Sequence, residues 1–269
     1  MGNAATEYLL YTLRLLALTL GTSVICGLAV HLCAGLFARL LGRASGRIFD
    51  VTAVIGTPVH ELGHALMCLV FGHRIQAIQL WSPGASDGVY GYVEHGYNRK
   101  NPWAQLGNVF IALGPIFSGL GVTVLMLWLC FPTQWSEYLA VSRSVAAAES
   151  LPEAALGIVS LIASIPKAFA SDWLKSLLGL LIILPVSLHI SLSWQDIKSA
   201  ASGFPIYLLF VAFFALLSWL FQWDAAITSA LSLWNVRLLS LFFVVIAFSA
   251  VWVLIALLIR AARVVIGWF

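Results

Sequence analysis

The chain has 269 residues, 61% of them hydrophobic and only 9% charged, with 14 Lys+Arg against 11 Asp+Glu; a soluble domain of this length carries more than twice as many charges. A mean hydropathy of +0.98, with 11 Trp and 16 Phe, requires a solvent that accepts apolar side chains on the outside of the fold, and the lipid bilayer is that solvent. The net charge of +3 is slight and no Lys/Arg run is long enough to neutralise several phosphates, so nucleic acid is excluded as a partner.

A crossing helix needs about 20 residues without obligatory charge. Intervals free of Asp, Glu, Lys and Arg predict spans at 15–38, 103–131, 176–195, 199–223 and 238–259. The first follows Glu7 and Arg14 and is much longer than a signal-peptide core, so it reads as a retained span. A sixth, from Ile48 to Phe71, qualifies except for Asp50 at its mouth and Glu61 in its middle. A further crossing over 151–166 is bounded by Pro152 and Pro166 and reads equally as a re-entrant or interfacial helix. Arg39, Arg43 and Arg47 place the loop after the first span in the cytoplasm. Arg260 and Arg263 would place the C-terminus there too, which requires a seventh crossing.

Between the second and third spans the pattern changes. Arg74 to Leu80 and Val89 to Glu94 show partial period-two alternation, and Ser82 to Gly88 is a cluster of turn formers, so 74–97 predicts a β-hairpin. An open sheet edge cannot face lipid; the hairpin is expected at the membrane surface or in a protein-lined cavity. No repeat, low-complexity segment or linker divides the chain. The expected fold is an all-α polytopic membrane protein of six or seven transmembrane helices, one domain over 1–269. Its core lies at 48–200 and additional helices at 201–269. The expected location is the plasma membrane, in a bacterium the cytoplasmic membrane.

His60-Glu61-Leu62-Gly63-His64 is an H-E-x-x-H motif. At 100° per residue, side chains four apart project about 40° apart, so both imidazoles can meet one metal ion while Glu61 turns toward a water on it. The composition would produce this pattern about 0.003 times per chain, so chance is a poor explanation. Catalytic zinc takes three protein ligands and one open position, with the glutamate as general base. Ionisable groups inside a span are costly and mark function. Pro58 suits the start of that helix, and Gly63 leaves room for a neighbouring backbone.

The third ligand comes from the polar end of a later apolar stretch, Pro185 to Lys198. Asp196 is a carboxylate that can complete the site, and His189, seven residues earlier, shares nearly the same face if the helix is continuous, as an alternative or additional ligand. His31 and His73 read as non-ligands, and His95 as a surface group of the hairpin within reach of the cavity. Cys26, Cys33, Cys68 and Cys130 lie in apolar stretches without a C-x-x-C pair and read as free buried thiols.

The order of these features, H-E-x-x-H in a membrane helix, a short hairpin, a long span containing Asn108 to Gly119 and an apolar helix ending near a carboxylate, resembles the site-2 protease family of intramembrane zinc metalloproteases over roughly residues 48–200. The resemblance implies zinc on His60, His64 and Asp196, Glu61 as catalytic base, and Asn108, Gly114 and Pro115 as structural residues near the site. Gly114-Pro115 matches the family's alanine-glycine-proline stretch, whereas Ser118 replaces an asparagine and Trp194-Gln195-Asp196-Ile197 replaces leucine-aspartate-glycine, which implies a divergent branch. The implied activity is hydrolysis of peptide bonds in membrane proteins or peptides by zinc-activated water. The strand edge at 74–80 or 89–94 is expected to pair with the extended substrate. The same metal chemistry serves a lipid or other amide hydrolase, and a third reading is a non-catalytic protein with a structural metal site. The oligomeric state is not encoded in these features.

Overall fold

The computed structural model describes residues 3–82, 89–147 and 151–266. A first helical stretch comprises α1 (Ala4–Leu16), a π turn (Ala17–Gly21) and α2 (Thr22–Leu41), and α3 follows at Ala44–Val70. The two antiparallel strands β1 (Arg74–Gln79) and β2 (Tyr92–Gly96) come next. The remainder is helical: α4 (Pro102–Cys130), α5 (Pro132–Ala147), α6 (Leu151–Ser171), α7 (Trp173–His189), α8 (Trp194–Leu220) and α9 (Asp224–Ile266).

Five helical stretches among the described residues are long and apolar enough to cross a bilayer: Ala4–Leu41, Ala44–Val70, Pro102–Cys130, Trp194–Leu220 and Asp224–Val265. Their outer faces carry exposed Leu, Ile and Phe, including Ile25 at 69%, Leu32 at 70% and Phe213 at 61%. Water would penalise that surface and hydrocarbon does not. The chain is an integral membrane protein. The turn between α2 and α3 is made at Gly42, whose φ of 56° lies in the left-handed region.

The expected span at 176–195 is interrupted. α7 stops at His189, and α8 starts at Trp194 with Ser193 as its N-cap. Ser193 Oγ accepts the Asp196 N–H at 3.1 Å, and Asp196 Oδ2 accepts the Ser193 N–H at 2.7 Å. This reciprocal capping box begins a new helix where a hydropathy window sees only continuity. Asp196 therefore opens the next span and does not close the previous one, and the continuous face assumed for His189 and Asp196 does not exist. The predicted spans at 15–38 and 238–259 fall inside longer helical stretches that run on past the flanking charges, whereas those at 48–71, 103–131 and 199–223 match α3, α4 and α8 to within five residues at each end. The crossing expected over 151–166 lies in α6, where the side chains of 151–158 are outside the described residues.

α4 is the central helix, packed against α3 and α8. Against α3 the contact is backbone on backbone: a Cβ on Gly63 would sit 2.4 Å from Gly114 O, and one on Gly114 would sit 2.4 Å from Gly63 O. Two glycines thus bring the H-E-x-x-H helix into main-chain contact with α4. Against α8, Gly203 lies on Gln105 O, and Asn108 Nδ2 donates to Ser202 Oγ at 3.0 Å. Apolar side chains of α1, α2, α4, α8 and α9 fill the largest core around Val30, Ile116, Tyr207 and Phe242.

The expected hairpin is present as β1 and β2, paired from Arg74↔Gly96 to Gln79↔Tyr92 with an irregularity between Ile75 and Ala77. Most of the predicted turn, residues 83–88, lies outside the described residues. Ser82 N donates to Tyr90 O at 2.7 Å, so pairing continues beyond the strands. The segment before β2 enters the helical bundle: a Cβ on Gly91 would lie 2.7 Å from Thr57 Cγ2 and 2.9 Å from Glu61 Cγ.

Candidate metal centre

His60, Glu61 and His64 lie well inside α3, with His60 about 15 Å of helix from its C-terminal end at 1.5 Å per residue. The i, i+4 spacing brings the two rings together, with Nε2 of His60 3.2 Å from Nε2 of His64. Asp196 arrives from the first turn of α8, with Oδ1 3.1 Å from His64 Nε2 and Oδ2 3.9 Å from His60 Nε2. Glu61 is 6% exposed and Asp196 7%.

The outer nitrogen of each imidazole is held by main chain. His60 Nδ1 donates to His189 O at 2.8 Å and His64 Nδ1 to Ile111 O at 2.7 Å. A carbonyl only accepts, so both rings carry their proton on Nδ1 and turn the bare Nε2 inward. Both carbonyls are available for stated reasons. Ile111 O would serve the N–H of residue 115 in an unbroken helix, and residue 115 is proline. His189 is the last residue of α7, and the N–H four positions on, that of Ser193, is bound to Asp196 instead.

Two lone pairs and a carboxylate thus converge on one point, an arrangement that a cation satisfies. Two nitrogens on tetrahedral zinc lie about 3.3 Å apart and nitrogen and oxygen about 3.4 Å; the separations of 3.1 to 3.9 Å fit that ion. The donor set of two imidazoles and one carboxylate suits zinc.

A cavity of about 680 Å³ opens on this group, with Thr57, His60, Glu61, His64 and Asp196 in its wall. Residues 89–93, His95, His31, Ser193 and Gln195 complete part of the lining. Thr57 Oγ1 is buried without a hydrogen-bond partner.

Of the residues singled out in the sequence, His60, His64 and Asp196 meet. His189 does not join them: its Nε2 pairs with Thr52 Oγ1 at 2.9 Å, its ring stands edge-on to Phe49, and it contributes its carbonyl to His60. Asn108 ties α4 to α8, Gly114 touches Gly63, Pro115 frees the carbonyl that holds His64, and Ser118 Oγ lies 2.7 Å from Val59 O. Sequence reasoning missed the carbonyls of Ile111 and His189; Pro115, four residues after Ile111, was the available signal for the first.

No model of a known protein family, no curated protein and no solved structure matches the chain.

Proposed function

We propose that the protein is an intramembrane zinc metalloprotease, similar in design to the site-2 proteases, that hydrolyses peptide bonds of membrane-associated substrates. The carrying observation is Glu61, a carboxylate inside a span, in the wall of a cavity and next to His60 of a converging His60–His64–Asp196 group. A structural metal site has no need of such a group.

His60, His64 and Asp196 would hold the ion. Zinc, when bound, lowers the pKa of water and polarises a carbonyl. Glu61 takes the proton of the attacking water and delivers it to the leaving amine, the general acid–base role. Main-chain carbonyls fix both imidazoles and the capping box fixes Asp196, so no reorganisation is needed during the reaction. The apolar walls of α2, α4 and α7 limit water in the cavity and strengthen electrostatic interactions within it.

A helical substrate hides its carbonyls and must be unwound. The edge of β2, which follows directly on Gly91 and its contact with Glu61, would pair with an extended segment. Proline at Ile78 or Val93 is expected to reduce cleavage with zinc retained. α7, with 17 residues and about 26 Å of length, supplies a sixth crossing, and α6, with 21 residues, a seventh. The membrane is the bacterial cytoplasmic or plasma membrane.

The test uses full-length protein in detergent, wild type against Glu61→Gln, with zinc content, cleavage of a membrane-embedded peptide and phospholipid turnover all measured. Equal zinc with cleavage reduced about 10²-fold or more is expected. Lipid turnover without proteolysis overturns the peptide substrate, and zinc-loaded wild type inert on both overturns the enzyme.

A further inference from the structure

Eight residues beyond His60 on the same helix, a second group of ligating atoms comes together. Cys68 is fully buried in the last turns of α3, and His73 is 5% exposed. A Schellman turn returns the chain on itself there: Gly72 takes a φ of 70° and His73 N donates to Cys68 O at 2.8 Å. His95 reaches the same place from β2, with its Nδ1 3.0 Å from His73 Nδ1. The Cys68 sulfur and one ring nitrogen of each histidine lie within 4.8 Å of one another.

His73 is prepared in the same manner as His64. Its Nε2 donates to Ala104 O at 2.7 Å, which fixes the proton there and leaves Nδ1 a bare lone pair facing His95. Ala104 and Ile111 are both on α4, seven residues apart, so one helix orients an imidazole in each cluster. Tyr97 stacks on the His73 ring at 4.7 Å. Two nitrogens on tetrahedral zinc lie about 3.3 Å apart and nitrogen and sulfur about 3.6 Å, within reach of the spacing found.

We propose that Cys68, His73 and His95 form a second metal site, distinct from the His60–His64–Asp196 group, which takes a zinc-class ion through one thiolate and two imidazoles and fastens the hairpin to α3. Thiolate with imidazole and no carboxylate selects a borderline or soft ion over magnesium or calcium. Each ligand comes from a different local structure: helix, turn and strand. Its ion would hold β2, and through it Gly91, against the catalytic helix. The site does not depend on the chemistry assigned to Glu61.

Cobalt substitution of the full-length protein in detergent separates the two sites, because only this one contains sulfur. The expected result is a thiolate-to-cobalt charge-transfer band that Cys68→Ser abolishes and His95→Ala abolishes or shifts. The band is expected to persist in Asp196→Asn and in Glu61→Gln, so failure of the protease reading leaves it intact. Zinc content is expected to fall from two ions per chain to one in His95→Ala, a variant on the half-buried strand that spares the helix core. A single ion in wild type with no charge-transfer band overturns the proposal and leaves a direct His95–His73 hydrogen bond. A band that survives Cys68→Ser also overturns it.

Discussion

The His64 imidazole is held by the carbonyl of Ile111, 47 residues away in sequence and 2.7 Å away in space, and that carbonyl is available because residue 115 is proline. Pro115→Ala restores a competing N–H one turn on. A partner lost from the outer nitrogen of a ligating histidine typically costs 10- to 100-fold in metal affinity. Since a carbonyl has two lone pairs, zinc affinity is expected to fall by about 10-fold, read by competition with a chelator.

Gly63→Ala places a methyl 2.4 Å from Gly114 O. Neither helix backbone can yield locally, so α3 and α4 must separate. Overpacking of this kind costs roughly 1–3 kcal/mol, and zinc retention should fall with thermal stability in detergent. Gly46→Ala in the first turn of the same helix, at an exposed glycine whose added Cβ meets nothing within 4 Å, is the control.

Gly91→Ala acts on the other side of the site. Its Cβ would meet Thr57 Cγ2, Gln79 O and Glu61 Cγ, all at 2.7–2.9 Å, and the hairpin must lift. Zinc content should be unchanged, whereas cleavage should drop by about 10-fold or more, the scale of effect that misplacement by an ångström produces.

Ser193→Ala and Asp196→Asn distinguish the two roles of the capping box. Losing the serine costs about 1 kcal/mol of helix stability and leaves the carboxylate in place, so zinc binding should weaken modestly. Asparagine at 196 keeps an acceptor for the Ser193 N–H but loses the charge, so zinc should be lost with little change in melting temperature. Metal analysis and thermal unfolding of the two variants read the contrast.

Tyr90 gives a pH signature for hairpin docking. Its hydroxyl donates to Asp50 Oδ1 at 2.9 Å, and burial, with that hydrogen bond and the Asp50 charge, pushes its pKa up to about 12. A folded-state pKa above the unfolded value of about 10 means the contribution to stability is whole below pH 10 and is lost as the pH rises through about 12. In Tyr90→Phe the alkaline loss of hairpin protection, followed by hydrogen exchange of β2 amides, should be smaller.

How much of this was readable in the residues differs from element to element. Membrane character and four of the five long spans followed from where charges are missing, the fifth, α3, was expected in spite of Asp50 and Glu61, and the hairpin followed from its alternation. His60, Glu61 and His64 were legible because a helix fixes the relation between residues four apart. The join to Asp196 was not, because residues 176–195 contain no charge to mark the break at 190–193; the Ser193–Asp196 spacing was the signal. Cys68, His73 and His95 were set aside singly, since a helix, a turn and a strand share no period that would bring them together. His64 and Cys68 nevertheless repeat the four-residue interval of His60 and His64.

The acceptors that aim His60 and His64 are backbone carbonyls, which every residue type supplies. A saturation scan would score Ile111 by the volume it fills and His189 by its contact with Gly56 and Thr52, and would report neither as part of the metal centre. The orientation of the ligands is thereby insulated from most point mutation. Its weak points lie four residues downstream of each acceptor, at Pro115 and Ser193, where the ordinary helical claim on the carbonyl has been withdrawn.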